Sequence, residues 1–372
     1  MKLTLERTAL LSSLGHIQSV VERRNTIPIL ANVEFVASNS HLTLAATNLD
    51  LALRENVDAA VDQDGGTTTP AHMLYDIVRK LPDGTQIEFI QDGAIDRLTL
   101  RAGRSEFTLP CLPREDFPLI SEGDLPVEFA IMASDLRRLI DKTRFAISTE
   151  ETRYYLNGVH LHRASTNELA MLRAVATDGH RLAKVEMPLP DGAGNAPPII
   201  VPRKTIQEVR KLVDQTEASV SIAISDARIR FTLDDAVLTS KLIDGTFPDY
   251  ERVIPEANDK SVAVDTSSFS EAVDRVSTIA TETTRAIKLS IENNSMMVSA
   301  TSPESGSASE TVPVNYQGDT LEIGFNARYL LEITKQIDDE KLIMVLADAV
   351  SPMLISDSSD PSALYVLMPM RV

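Results

Sequence analysis

An α+β fold of three repeated domains is the class this sequence predicts, and three observations predict it. An Ala-Thr pair closes a strand-like run three times, at Ala46-Thr47, Ala176-Thr177 and Ala300-Thr301, with spacings of 130 and 124 residues. Each pair stands between two units in which a short strand runs into an amphipathic helix. The segments between these units alternate apolar and polar residues with period two, the pattern of antiparallel hairpins with one wet face. Three copies of about 124 residues account for the 372-residue chain.

The leading strand-to-helix units run from Leu3 to Val21, Val127 to Ile147 and Val262 to Ile279. In the second, Leu136, Leu139, Ile140 and Phe145 fall near helical spacing after Ser134 as N-cap; in the third, Phe269, Val273 and Val276 follow Ser267 in the same way. The trailing units run from Thr69 to Leu81, Val201 to Val213 and Gly324 to Ile337. Leu49, Leu51 and Leu53, then Ile229, Phe231 and Leu233, then Ile287, Leu289 and Ile291 mark the hairpin strands, with turns at Gln91-Asp92-Gly93, Asp234-Asp235 and Asn293-Asn294. Joints at Leu125-Pro126 and between Pro255 and Asn258 give domains 1–126, 127–256 and 257–372. The Gly- and Pro-rich stretch from Pro188 to Pro198 reads as a surface loop inside the second domain.

Composition is that of a soluble globular chain, with 43% hydrophobic and 24% charged residues and a net charge of −18. A single cysteine, Cys111, excludes an intrachain disulfide and a cysteine-based zinc site, and suits a reducing compartment. No window reaches the roughly 18 apolar residues of a membrane span, and the N-terminus reads as an amphipathic helix rather than a signal peptide. A cytoplasmic protein without membrane contact is the expectation.

The charge is segregated. Six helical segments, 7–24, 71–82, 134–148, 203–214, 267–283 and 326–338, hold 16 basic and 11 acidic residues, so the rest of the chain carries −23. Arg23, Arg24, Arg79, Lys80, Arg137, Arg138, Lys142, Arg203, Lys204, Arg210 and Lys211 make basic islands on an acidic body. If the helices line one concave side, a basic inner surface attracts a nucleic-acid backbone without reading sequence, while the acidic exterior repels it. Six helices spaced ~9 Å apart enclose a circle ~17 Å across, too narrow for a duplex. Twelve, from two copies, enclose ~34 Å and leave about 24 Å once a helix's ~10 Å girth is subtracted, which admits B-DNA.

Motifs for chemistry are sparse. No phosphate loop, dinucleotide fingerprint or HExxH helix occurs. His160 and His162 share one face of a strand without a third metal ligand nearby in sequence. Asp178-Gly179 reads first as a tight turn, with His180 capping it or orienting a carboxylate; as the one acid/base-like stretch it lacks a nucleophile and an oxyanion donor. The C-terminus stays apolar from Tyr365 to Val372, where most chains fray into polar tails. It reads either as a final edge strand packed on the third domain or as a surface of two methionines and a proline beside an adaptable groove that accepts several peptides.

Six stretches taken in order, RNTIPIL (24–30), RYYLNG (153–158), ATDGHRLA (176–183), VPRK (201–204), FPDY (247–250) and the terminal YVLMPMRV, resemble the beta subunit of bacterial DNA polymerase III, the sliding-clamp family, over the whole length. The resemblance implies a clamp fold in which each domain sets two helices inside and antiparallel sheets outside, and two chains join head to tail as a ring around duplex DNA. It implies a processivity factor without catalytic activity or cofactor, loaded by an ATP-driven clamp loader and tethering DNA polymerases and repair proteins through short linear peptides. By position, the peptide cleft is expected at Leu156, Thr177, Gly179, His180, Arg181, Leu182, Pro248, Arg252, Val253, Val366, Met368, Pro369, Met370 and Arg371. DNA contacts are expected at Arg24, Tyr154, Lys204 and Lys211, and the homodimer joint at Phe107, Thr278 and Ile279.

Overall fold

A computed structural model describes residues 1–91, 96–118, 123–281 and 285–371. Asp92 and Gly93 of the first expected turn, the end of the fifth helical segment at 282–283 and the terminal Val372 lie outside the described residues. The chain divides into two compact units. The first comprises residues 1–137, 190–197 and 204–242, and the second comprises 138–189, 198–203 and 243–372.

Among the described residues six α-helices carry the apolar spacing seen in the sequence: α1 (Arg7–Val20), α2 (Ala71–Lys80), α3 (Ala133–Arg144), α4 (Arg203–Val213), α5 (Thr266–Ser277) and α6 (Ala327–Thr334). The first unit holds a five-stranded sheet, in spatial order Ala60–Gln63, Lys2–Glu6, Gln86–Ile90, Arg97–Ala102 and Ser105–Pro110. Its eight-stranded sheet runs Val127–Met132, Ser219–Ile224, Arg228–Leu233, Ala236–Lys241, Leu51–Asp58, His41–Thr47, Asn32–Ser38 and Gly65–Pro70. Leu10, Leu14 and Ile17 from one stripe of α1 are fully buried, as are Phe35 and Phe89, whose rings meet edge to face at 5.3 Å.

The second unit is built on one twelve-stranded sheet. Its order is Ile199–Pro202, Gly158–Thr166, Leu169–Thr177, Arg181–Pro188, Ala363–Leu367, Met353–Asp357, Lys341–Leu346, Lys260–Asp265, Gly306–Asn315, Ser295–Ser302, Ala286–Glu292 and Leu321–Asn326. Phe269, Val273, Phe325, Leu330 and Tyr365 are buried in its core.

The repeat is visible bond by bond. The opening strand of each copy pairs antiparallel with the strand that follows its second helix: Lys2–Glu6 with Gln86–Ile90, Val127–Met132 with Ser219–Ile224, and Lys260–Asp265 with Lys341–Leu346. The first helical amide then donates to the loop after the second helix, Arg7 to Thr85 O at 2.9 Å, Ala133 to Ala218 O at 3.0 Å and Thr266 to Glu340 O at 2.8 Å. The Ala-Thr pairs end or nearly end the strands His41–Thr47, Leu169–Thr177 and Ser295–Ser302.

Local expectations need five corrections. The C-terminal strand Ala363–Leu367 is not an edge: it pairs with Arg181–Pro188 on one side and with Met353–Asp357 on the other. Ser134 lies inside α3 rather than capping it, and α5 is capped by Asp265, whose carboxylate accepts from the Ser268 amide at 2.7 Å, so Ser267 is within the helix. Leu49 is not a strand residue: it sits in a turn at φ 76°. The Pro188–Pro198 loop is packed rather than purely surface, since Ala193 is fully buried. α1 ends at Val20, which leaves Arg23 and Arg24 beyond the helix.

Candidate functional site

The turn after strand Leu169–Thr177 organises the site. Thr177 Oγ1 donates to the Arg181 carbonyl at 2.6 Å and accepts from the Gly179 amide at 3.1 Å. Asp178 Oδ1 accepts from the His180 and Arg181 amides at 2.9 and 3.0 Å. Asp178 is thereby used to build a tight turn, which gives the acid/base-like stretch a structural role. Gly179 stands at φ 87°, and a Cβ there would fall 2.5 Å from the Arg153 guanidinium.

Above this turn lies a hollow of about 260 Å³. Its lining contains nine of the fourteen expected cleft residues: Leu156, Thr177, Gly179, Arg181, Leu182, Pro248, Val253, Val366 and Met368. Leu182 and Val366 are cross-strand partners, and with Leu156, Val175, Ile200, Phe247 and Tyr250 they form one buried apolar cluster. Pro369, Met370 and Arg371 line a second, wider hollow of about 620 Å³ together with Lys288, Glu322, Ile323, Gly324, Ala349 and Val350. The tail lies between the two because the Met370 amide donates to Gly324 O at 2.9 Å and the Met368 amide to His180 O at 2.9 Å. His180 and Arg252 stand outside both linings: His180 stacks on Tyr329 with ring centroids 6.2 Å apart, and Arg252 pairs with Asp249 at 2.6 Å.

Arg181 lines the hollow, yet its guanidinium is held internally. It bonds Asp178 at 3.2 Å, Glu332 and the Phe145 carbonyl at 2.6 Å, and it lies over the rings of Tyr329 at 4.4 Å and Phe145 at 5.1 Å. Burial raises the Glu332 carboxyl, but the Arg328 and Arg181 hydrogen bonds outweigh it and hold the group below its usual range. Arg153, Tyr155, Asp249 and Tyr250 also line the hollow and had no signal in spacing or periodicity. Tyr329 was missed as well, although it faces His180 and Arg181 from α6.

Three of the four expected DNA-contacting residues belong to the first unit. Arg24 is exposed, and among the described residues it has no ion-pair partner. Lys204 is half-buried, donating to Val20 O at 3.0 Å and pairing with Glu22, whose carboxyl is lowered chiefly by that lysine. Lys211 pairs with the buried Glu208 at 2.8 Å. Tyr154, in the second unit, is 53% exposed and packs edge to face on Tyr155 at 5.7 Å. The basic helix faces are therefore not uniformly solvated. Lys142 is buried against Asp338 and the Gln336 carbonyl, Arg138 bonds Asp360, and Arg137 bonds the Val213 carbonyl at 2.9 Å.

For the expected joint, Phe107 is half-buried on strand Ser105–Pro110, Thr278 is exposed at the C-cap of α5, and Ile279 is half-buried beside it. Among the described residues no three His, Cys, Asp or Glu side chains gather as a metal site, and no helix is long and apolar enough to cross a membrane. His160 and His162 stack on each other at 4.5 Å, and burial followed by the neighbouring His162 lowers His160 to about 4. Cys111 is free and buried.

Family models for the DNA polymerase III beta subunit match the chain in series, the N-terminal domain over residues 1–121, the central domain over 130–249 and the C-terminal domain over 251–371. The chain belongs to the beta sliding clamp family. It is 51% identical over 372 residues to the beta sliding clamp of Caulobacter vibrioides and 40% identical over 375 residues to that of Pseudomonas aeruginosa, each alignment covering all of both chains. Among solved structures, a sliding clamp from Bartonella birtlesii bound to griselimycin matches with a TM-score of 0.96 at 47% identity over all of both chains. A clamp from C. crescentus matches with 0.95 at 51% identity, over all of this chain and 99% of that one. The three-domain clamp fold and the role of a processivity factor follow from this membership.

Proposed function

We propose that two copies of this chain close head to tail around duplex DNA and that the hollow beside Leu182 captures short peptides of DNA polymerases, the clamp loader and repair proteins. The observation that carries the reading is full-length similarity to beta sliding clamps. On this reading the chain is cytoplasmic, has no catalysis of its own and is divided into domains at residues 126 and 256. Arg24, Tyr154, Lys204 and Lys211 face DNA as sequence-independent contacts.

The repeat supports a specific joint between copies. Strand Ala236–Lys241 pairs with Leu51–Asp58, placing Leu238 opposite Leu53, and Ala363–Leu367 pairs with Arg181–Pro188, placing Tyr365 opposite Ala183. All four of these residues are buried. The corresponding strand of the first repeat, Ser105–Pro110, is at the edge of its sheet. Its partner by the same rule is Gly306–Asn315 of a second copy. The Thr47–Ala52, Thr177–Leu182 and Thr301–Ser307 pairings set the register, which puts Phe107 opposite the partner's Ala308. Phe107 and Ala308 are half-buried where their counterparts are covered; Ser105–Pro110 is an edge, and Gly306–Asn315 pairs with Lys260–Asp265 only at Val314 and Asn315, which leaves the stretch around Ala308 open on that side.

Loading onto nicked circular DNA tests the reading. Enclosure needs no strong phosphate contacts, so retention on the circle survives salt that abolishes ordinary electrostatic binding, and linearisation releases the protein. Dissociation from intact circles with the steep salt dependence of a phosphate binder overturns it.

A further inference from the structure

We infer that Arg173 is a positioning residue for peptide capture: buried beneath the cleft and outside its lining, it holds the wall segment 247–253 in place through Tyr250 and Glu251. The inference rests on the reading of the hollow as a peptide cleft. Arg173 lies on strand Leu169–Thr177 and is 5% exposed. Its guanidinium donates to Tyr250 Oη and Glu251 Oε1, both at 2.8 Å, to Glu186 Oε2 at 2.9 Å and to Thr166 Oγ1 at 3.1 Å.

The network continues in a definite direction. His162 Nδ1 lies 2.7 Å from the Arg163 carbonyl and therefore carries the ring proton, leaving Nε2 to accept from Tyr250 Oη at 3.0 Å. The phenol thus accepts from the guanidinium and donates to the imidazole, which fixes both its position and its rotation. Tyr250 packs on Phe247 at 6.4 Å, and Phe247 stacks on His160 at 4.7 Å.

The segment so anchored supplies Pro248, Asp249, Tyr250 and Val253 to the cleft. It is a single short 3₁₀ turn, Tyr250–Val253, not a strand of the sheet. A turn of that length has little order of its own, so the side-chain anchors decide how often the wall is in place. Apparent affinity for a peptide scales with that fraction.

The test uses the full-length dimer and a fluorescein-labelled hexapeptide carrying one glutamine and two leucines, followed by stopped-flow fluorescence. Tyr250→Phe keeps the ring and removes Oη; Arg173→Lys keeps the charge and loses the fork geometry. Both variants are expected to bind with an association rate lowered about tenfold and a dissociation rate within about twofold of wild type, because the bound contacts are unchanged while the competent fraction falls. Val253→Ala, which alters a direct contact, is expected to raise the dissociation rate instead. Association rates within twofold of wild type in Tyr250→Phe, or a loss confined to dissociation, overturn the inference. Tyr250→Phe decides the matter if Arg173→Lys fails to assemble. A wild-type dimer that binds no peptide overturns the cleft reading itself, and the positioning role with it.

Discussion

The hollow beside Leu182 and the slot beside Ala52 occupy the same place in successive repeats, yet they differ in what they can hold. Their turns are built alike. Thr47 Oγ1 donates to Leu51 O at 3.0 Å and accepts from the Leu49 amide at 2.9 Å, and Asn48 Oδ1 accepts from the Asp50 and Leu51 amides, bond for bond the arrangement at Thr177 and Asp178. The floors differ. Leu182 faces Val366 in one, and Ala52 faces Thr239 in the other. The slot around Ala52 measures about 130 Å³ and is lined by Glu34, Arg54 and Arg230, with Arg114 paired to Glu34 at 2.7 Å. Replacing Leu and Val by Ala and Thr removes several methyl groups of apolar surface at about 0.8 kcal/mol each. The same backbone therefore makes an apolar hollow in one repeat and a charged slot in the other.

The third joint, between copies, breaks first. Ile279→Asp puts an unpaired charge at a half-buried position just beyond the C-cap of α5, a cost of about 4 kcal/mol if the joint covers it. Sedimentation is expected to show a folded monomer, and a persistent dimer places the joint elsewhere.

Removing residues 368–372 takes away the Met368 wall and the Met370–Gly324 bridge while leaving the domain cores intact. Peptide affinity is expected to fall at least a hundredfold, about 2.7 kcal/mol, with dimerisation preserved. Retained affinity would move the cleft away from the tail.

How much of this was legible in the sequence differs between its parts. Alternation and helical spacing located the three copies, because both are local. The roles of Lys142 and Arg181 were not legible, since their partners Asp338 and Glu332 lie 196 and 151 residues away and a basic residue on a helix face or turn looks solvated until the chain folds. The Asp178-Gly179 turn was legible, because its signal is local, and the hydrogen bonds from the His180 and Arg181 amides to Asp178 Oδ1 agree with it. The wall segment 247–253 was identifiable through family resemblance, whereas its anchor Arg173 had no signal, being 77 residues from Tyr250.

Acid is expected to loosen the cleft side of the comparison through His160, whose place in the strand register is taken by Glu34 in the counterpart. Folded His160 takes up its proton near pH 4 and the unfolded chain near 6.5, so the unfolded state binds more protons between these values. Stability therefore falls as pH drops from 6.5 towards 4, by about 2 to 3 kcal/mol for this group, and is unaffected by it above 6.5. Denaturant unfolding of wild type and His160→Phe across that range checks it; an unchanged pH slope in the variant excludes His160 as the source.

The smallest expected effect is at the paired turns. Gly179→Ala places a Cβ at φ 87° and is expected to cost about 1 kcal/mol. Leu49→Gly relieves a side chain held at φ 76° and is expected to leave stability within about 0.5 kcal/mol of wild type, strain relief offsetting the entropy of glycine. Chemical denaturation of the two variants separates these outcomes.

The most direct measurement is calorimetric titration of the glutamine- and leucine-containing hexapeptide into wild type and into the double variant Leu182→Ala with Val366→Thr, which gives the cleft the floor of its counterpart. Wild type is expected to bind one peptide per chain with micromolar affinity, and the double variant to lose at least thirtyfold while remaining a dimer. Two peptides per wild-type chain, or an affinity unchanged by the exchange, would contradict the claim that these two side chains turn a repeated joint into a receptor.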